Sequence, residues 1–482
     1  MRLVDSADPS AGSSVPPSIR LDDLLAATGA RLLGPTSVTS FATAAVDSRN
    51  VVPGCCFVAL QGERTDGHRF AADAVRAGAS VLLVEHPVDL PADVEVAVLQ
   101  VADPLIALQE MAAWWRARSS VRVVGITGST GKTIAKEIVA DVLSRTLRVL
   151  RNEGNLNSET GLPMTLLRLE PSHQVSVLEM SMYTEGEIAR LAEIARPEVG
   201  VVLAVHPTHL ERAGSLDAIA RAKAELPAAL PADGLAVLNA DDPRVIAMRS
   251  VTAATTRTFG LGSGADVRAV DVESLGVDGT TFTLQAPWGT RRLHSATPGR
   301  HLVPHALAAV TVADHFGVPL DEVEAALAAG SRADHRMAVV DAPSGATIID
   351  DTYNASPVSV AAALNFLGES PLAPGRARYA VLGDMLELGP DEERQHREMG
   401  AKAAGVADAL VAVGERGRWI AEGARAAGLR RVSMARDADE AVLAVERDLA
   451  PGVGDLLLVK GSRGIELDRL VAALTGRAAG HV

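Results

Sequence analysis

The residues with the clearest chemistry are Gly125-Ile-Thr-Gly-Ser-Thr-Gly-Lys-Thr133. They follow a short apolar run, Val121–Val124, and precede a stretch in which Ile134, Ile138, Val139, Val142 and Leu143 fall on one helical face. A glycine-rich turn between a buried strand and a helix is the setting of a phosphate loop. Glycines let backbone N–H groups converge on phosphate oxygens, and the helix N-terminus adds a favourable dipole. Here Gly128, Ser129, Thr130 and Gly131 would cradle the phosphates, Lys132 would reach the β- and γ-phosphates, and the Thr133 hydroxyl would bind Mg²⁺. The general spacing asks for a glycine five residues before Gly131, where Ile126 stands. A strand-to-helix turn with a chance Lys-Thr pair is the plain alternative.

Two further positions fall at strand ends, where open α/β sheets place their ligands. Glu179 follows the apolar run Val175–Leu178, and His209 follows Val199–Val205. A carboxylate and an imidazole there would serve a metal near the γ-phosphate, although each alone is also an ordinary capping or surface residue. Lys223, in Arg-Ala-Lys-Ala-Glu, reads by itself as a solvated helix lysine.

The elements that must position these residues form two alternations of strands and helices. The first carries the glycine-rich turn and includes strand candidates at Val175–Leu178, Val199–Val205 and Leu235–Leu238. The second starts near Met337, with candidates at Thr347–Ile349, Tyr379–Leu382, Ala409–Val413, Arg431–Met434 and Asp455–Val459. Such alternation implies a mostly parallel sheet covered by helices. Ahead of both, Ile19–Ala102 reads as a smaller α/β unit, followed by a helix over Pro104–Arg118. Residues 1–18 read as a disordered tail, residues 19–102 as one domain, 103–331 as a second and 332–482 as a third.

Composition narrows the function. The 482 residues carry a formal charge of −14, with no basic stripe, which speaks against nucleic acid and anionic membranes. No apolar stretch is long enough to span a bilayer, and no signal-peptide core precedes the first domain. The two cysteines, Cys55 and Cys56, are adjacent and form no disulfide framework. A cytoplasmic protein is expected.

In aggregate the sequence resembles the Mur ligase family. Its loop Thr127-Gly-Ser-Thr-Gly-Lys-Thr133 has that family's form. Asp47-Ser-Arg, Pro53-Gly, Phe57-Val-Ala-Leu and Asp66-Gly-His resemble the family's UDP-sugar-binding domain. Gly154-Asn-Leu-Asn-Ser-Glu-Thr-Gly-Leu-Pro163, Leu178-Glu-Met, His209-Leu-Glu and Ala222-Lys-Ala-Glu resemble the central ATPase domain. His335-Arg-Met, Asp350-Asp-Thr-Tyr-Asn-Ala-Ser-Pro357, Leu382-Gly-Asp-Met-Leu-Glu-Leu-Gly389 and Lys460-Gly-Ser-Arg463 resemble the C-terminal domain.

The resemblance implies an α/β fold of three domains, with a central phosphate-loop sheet that is mostly parallel and a Rossmann-like C-terminal domain. Lys132 and Thr133 would hold ATP and Mg²⁺. Glu179, His209 and Lys223 would serve two Mg²⁺ ions, Lys223 as a carbamate. Arg336 and Asp351 would reach the nucleotide on domain closure. Ser48, Arg49, Asp66, Gly67 and His68 would lie on the UDP-sugar side, and Asn157 near the peptide.

The implied reaction joins D-Ala-D-Ala to the terminal carboxylate of UDP-N-acetylmuramoyl-tripeptide through an acyl phosphate. A monomer acting on small molecules is expected. A sister ligase, a folylpolyglutamate-synthase-like enzyme and a non-catalytic nucleotide-binding paralogue are the alternatives. The sequence departs from the family at Leu302 and His305, where asparagines near adenine are usual, at Ile134, and at Ser181-Met-Tyr-Thr-Glu-Gly-Glu.

Overall fold

The computed structural model describes residues 18–62, 65–91, 94–207, 214–330 and 335–477. His209, Ser331 and nearly all of the N-terminal tail lie outside them. The chain divides into two compact units. One holds residues 1–122, 150–176 and 190–196, and the other holds 123–149, 177–189 and 197–482.

The first unit contains a sheet of β1 (Arg31–Leu32), β2 (Ala44–Ala45), β3 (Cys56–Val58), β4 (Val81–Val84) and β5 (Ala97–Gln100) in the order β1-β5-β4-β3-β2. All neighbours are parallel except β1 and β5. Phe57, Leu82 and Val84 pack with Ala71 and Ala74 as its core. Helix α1 (Pro104–Ala117) starts at Asp103, whose carboxylate accepts the N–H groups of Leu105 and Ile106. Leu108 and Met111 are buried as the helical spacing predicts, while Leu105 and Trp115 are half-buried.

The second unit carries a large sheet built on β6 (Arg122–Thr127), β7 (Val175–Glu179), β8 (Val199–Val202), β9 (Leu235–Asn239), β10 (Thr255–Gly260), β11 (Val267–Ser274), β12 (Thr280–Ala286) and β13 (Gly289–Ser295). They stand in the order β13-β12-β11-β10-β9-β8-β6-β7. Strands β6, β8, β9, β10 and β11 are mutually parallel; β11, β12 and β13 are antiparallel. The run Val-Gly-Val-Val of β8 is wholly buried, as a strand covered on both faces must be.

Helices α2 (Lys132–Leu143), α3 (Leu216–Ala228), α4 (Pro243–Ala247) and α5 (Val303–His315) belong to this unit. Ile219 of α3 and Val245 of α4 share a core with Val202, Ala236 and Leu238.

The unit also holds a second sheet of β14 (Ala338–Asp341), β15 (Thr347–Asp351), β16 (Arg378–Gly383), β17 (Ala409–Val413), β18 (Val432–Ala435) and β19 (Leu456–Lys460), ordered β14-β15-β19-β16-β17-β18. Only β14 is antiparallel to its neighbour. No helix among the described residues is long and apolar enough to cross a membrane.

Two expectations are corrected. The strand expected over Val199–Val205 ends at Val202, because the Leu203 carbonyl and the N–H groups of Val205 and His206 turn to other partners, described below. The antiparallel strands β11–β13 carry no continuous apolar run and are additional to the strands expected from sequence.

Candidate active site

Strand β6 delivers the chain into the glycine-rich turn, and α2 begins directly behind it at Lys132. Gly131 caps the helix at φ +77°, a left-handed conformation that side chains resist. Gly128 lies close on Leu203, within less than ordinary contact for any added β-carbon. Ser129 ties the turn down: its N–H donates to Ala204 O at 2.8 Å, its hydroxyl donates to His206 O at 3.0 Å, and it accepts the His206 N–H at 2.9 Å.

Four of the expected side chains converge behind this turn. The Thr133 hydroxyl donates to Glu179 Oε2 at 2.6 Å, and both residues are buried. Lys132 folds back to donate to Gly128 O at 3.0 Å. Burial draws the Lys132 ammonium below its ordinary range, Glu179 opposes that, and Arg336 reinforces it. Lys223, expected on a solvated helix face, is only 3% exposed on α3. Burial pulls it well below the usual ammonium range, and the charge of Lys132 adds to this. The hydroxyl and carboxylate oxygens of Thr133 and Glu179 are hard donors of the kind Mg²⁺ takes, and burial shifts Lys223 toward its uncharged form.

Arg336, Asp351 and His305 approach from other segments of the same unit. His335 and Met337, on either side of Arg336, adopt left-handed backbone at φ +57° and +53°. The Arg336 guanidinium lies 3.9 Å over the Tyr353 ring. Its Nε is buried with no hydrogen-bond partner among the described residues. Asp351 faces Lys460 across the parallel pair β15–β19, and Lys460 Nζ donates to Asp351 Oδ2 at 2.5 Å and to Asn354 O at 2.9 Å. Burial pushes the Asp351 carboxyl up, while Lys460 holds it down.

Lys460 stands in the Lys-Gly-Ser-Arg motif, whose sequence alone implies no role for it. An acid and a lysine at the ends of two strands of one sheet were the available signal. His305 seats its ring against Gly131; burial draws it down to about 4, and draws His301 to about 3, with the neighbouring charges of His305 and Lys460 adding to the latter.

The expected substrate residues lie in the first unit. Asp66 accepts the His68 N–H at 3.0 Å and pairs with His68 Nδ1 at 2.6 Å, while His68 Nε2 accepts the Glu85 N–H at 2.9 Å. Gly67 fits only without a β-carbon, which would meet Leu60 backbone. His86 stacks on His68 with centroids 4.1 Å apart. Both His68 nitrogens are thereby engaged, so Asp66, His68 and His86 make a poor metal site despite their proximity. Ser48 and Arg49 occupy a separate turn capped by Asp47, with Arg49 paired to Asp47 and exposed. Asn157 stands in a third segment, its N–H donating to Asn155 O.

A phosphate loop at the carboxyl end of an inner strand of a mostly parallel sheet, a buried hydroxyl–carboxylate pair and two depressed lysines define a P-loop nucleotide-binding enzyme of the α/β class. Three family models match in chain order: the Mur ligase family catalytic domain over residues 43–116, the Mur ligase middle domain over 126–313, and the Mur ligase glutamate ligase domain over 335–463. The chain belongs to the Mur ligase family.

It is 37% identical over 434 residues to the UDP-N-acetylmuramoyl-tripeptide–D-alanyl-D-alanine ligase of Escherichia coli K12, covering 89% of this chain and 92% of that one. It is 38% identical over 474 residues to the enzyme of the same name from Mycobacterium tuberculosis, covering 90% and 92%. Among solved structures, MurF from Acinetobacter baumannii superposes with a TM-score of 0.83 at 32% identity, over 96% of this chain and all of that one. The MurF ligase of Thermotoga maritima, solved with ADP, superposes with a TM-score of 0.77 at 28% identity, over 90% and 97%.

Proposed function

We propose that this chain is an ATP-dependent ligase that joins D-alanyl-D-alanine to the terminal carboxylate of UDP-N-acetylmuramoyl-tripeptide, a step in the synthesis of peptidoglycan precursors. The observation that carries this reading is the Thr133–Glu179 hydrogen bond directly behind the phosphate loop, with Lys132 and the buried Lys223 grouped beside it. The relatives named above act in that reaction by their names, at 37% and 38% identity over about nine tenths of the chain.

A carboxylate is a poor acyl donor. Its oxygen attacks the γ-phosphorus of ATP, ADP leaves, and an acyl phosphate forms. The amine of the dipeptide then attacks the acyl carbon. The new amide bond forms as the C–O bond to phosphate breaks, and the nitrogen loses a proton. Gly128, Ser129, Thr130 and Gly131 offer backbone N–H groups to the phosphates. Lys132 exchanges Gly128 O for phosphate oxygens and neutralises charge as it develops. Arg336, Asp351 and His305 hold the nucleotide from the far side.

Mg²⁺, when bound, draws charge from the transferring phosphoryl oxygens. Thr133 and Glu179 would hold it, with His209 and Lys223 completing a two-ion set. Lys223 enters that set as a carbamate. Its neutral nitrogen bonds to the carbon of CO₂ and releases one proton to water, which converts a cation into an oxygen donor.

We assign residues 19–102 to UDP-sugar binding, 103–331 to ATP chemistry and 332–482 to the Rossmann-like C-terminal domain. Ser48, Arg49, Asp66, Gly67 and His68 then serve the UDP-sugar and Asn157 the peptide. The enzyme acts as a cytoplasmic monomer on small molecules, in keeping with its charge of −14.

Phosphate release measured with ATP, UDP-N-acetylmuramoyl-tripeptide and D-Ala-D-Ala, omitting each in turn, tests this reading. Turnover should require all three. Turnover indifferent to D-Ala-D-Ala would assign the chain to another ligation, and absence of turnover would make it a non-catalytic paralogue. Lys223→Ala should lose activity and regain part of it with short carboxylic acids.

A further inference from the structure

The four residues after β8 are gripped from two sides, the first of them still donating its N–H to Thr127 O of β6 at 3.0 Å. On one side stands the phosphate loop, through the three hydrogen bonds of Ser129 to Ala204 and His206. On the other side stand two residues from the end of β9 and the turn behind it. Asn239 Nδ2 donates to Leu203 O at 2.8 Å, and Asp242 Oδ2 accepts the Val205 N–H at 2.7 Å. Leu203 and Val205 are each 4% exposed, so these two have little solvent to fall back on, while Ala204 and His206 are half-buried.

Asp242 is stretched between two duties. Its other oxygen, Oδ1, caps α4 by accepting the N–H groups of Arg244 at 2.9 Å and Val245 at 3.4 Å. A carboxylate is the side chain of this size that presents acceptors in both directions; an amide must turn its NH₂ toward one set of N–H donors.

We infer that Asp242, with Asn239 in support, is a positioning residue for nucleotide binding: it fixes Leu203–His206, and that stretch fixes Ser129 and the phosphate loop. The inference rests on the reading that the loop binds ATP. The close approach of Leu203 to Gly128 makes the coupling stiff, since a shift of the stretch displaces the loop backbone as well as the Ser129 hydroxyl. A charge-assisted hydrogen bond to a buried N–H is lost in Asp242→Asn, and a loss of that kind corresponds to roughly tenfold or more in affinity.

The test is calorimetric titration of the full chain with ADP and Mg²⁺, alongside steady-state kinetics. Asp242→Asn should weaken ADP by about tenfold or more and raise the KM for ATP in parallel. The KM values for the other two substrates should stay put. Asn239→Ala, which leaves the α4 cap intact, should act in the same direction and keeps the question open to measurement if Asp242→Asn does not fold.

Because both residues act through Ser129, the Asp242→Asn and Ser129→Ala effects on ADP affinity should fall short of additivity. Variants that lose only thermal stability while binding ADP as the wild type does would overturn the inference, as would strict additivity. If the wild-type chain binds no ADP, the nucleotide reading fails first. If it binds ADP and Lys132→Ala does not, a silent Asp242→Asn sinks the positioning role alone.

Discussion

His305 occupies the space into which a β-carbon on Gly131 would project, so that its imidazole closes over the last glycine of the phosphate loop. Gly131 also holds φ +77°. Two independent constraints therefore meet at one residue, and one of them is supplied by the His305 ring.

Gly131→Ala should accordingly be among the most damaging single changes in the loop. The left-handed conformation alone disfavours alanine by about 1–2 kcal/mol, and overlap with His305 adds to that. Loss of ADP binding in titration, together with a lowered Tm, is the expected outcome. The double variant Gly131→Ala/His305→Ala should recover part of the stability, and a double variant no better than the single one would show that the ring is not what alanine meets.

Thr133→Val removes the hydroxyl that Glu179 accepts at 2.6 Å and leaves a buried carboxylate short of one donor. A loss of about 1.5–3 kcal/mol in stability follows from a charged hydrogen bond of this kind. The rate should fall by about 10–100-fold, and the Mg²⁺ concentration giving half the maximal rate should rise. Thr133→Ser should retain most of both. A valine variant with unchanged Mg²⁺ dependence would remove Thr133 from the metal site.

Lys460→Met strands the Asp351 carboxylate in a site where burial already raises its pKa. Breaking a buried pair from one side costs about 3–5 kcal/mol, whereas neutralising both partners is far less harmful. Chemical denaturation should therefore show Lys460→Met as the least stable form and Lys460→Met/Asp351→Asn as partly restored. Activity should remain low in both if Asp351 serves the nucleotide.

The two histidines set an acid limb. Burial holds His305 at about 4 and His301 at about 3, below the ordinary histidine value of 6.5. The unfolded chain thus binds protons before the folded one does. Stability from these neutral rings is complete above about pH 6.5 and is lost as pH falls toward 4 and 3. Tm followed from pH 7 to pH 4 should decline less steeply in His305→Asn than in the wild type. Parallel curves would mean that other groups govern the acid limb.

What could be read from residues alone follows the physics of each feature. The phosphate loop was legible because its chemistry is local: glycines, lysine and threonine act within one turn. The buried strands β7, β8 and β17 were legible because parallel strands covered on both faces are continuous apolar runs. Strands β11–β13 were not, because antiparallel strands with one wet face alternate, and here small and polar residues such as Ala269, Thr281 and Thr283 fill many of the positions. Lys223 looked solvated because nothing in Arg-Ala-Lys-Ala-Glu tells which helix face turns inward. Asp242 and Lys460 act on partners 37 and 109 positions away, a relation that only the folded chain displays.

Cys55 and Cys56 both sit fully buried, and burial lifts the thiol of Cys56 to the point where thiolate chemistry is closed to it. The wild-type protein should therefore be nearly blind to maleimide dyes under native conditions. That silence makes it a ready background for optical work: a cysteine introduced at an exposed site such as Val453 would take a fluorophore alone, and the response of the C-terminal region to added nucleotide could be read in real time without first stripping the natural thiols from the chain.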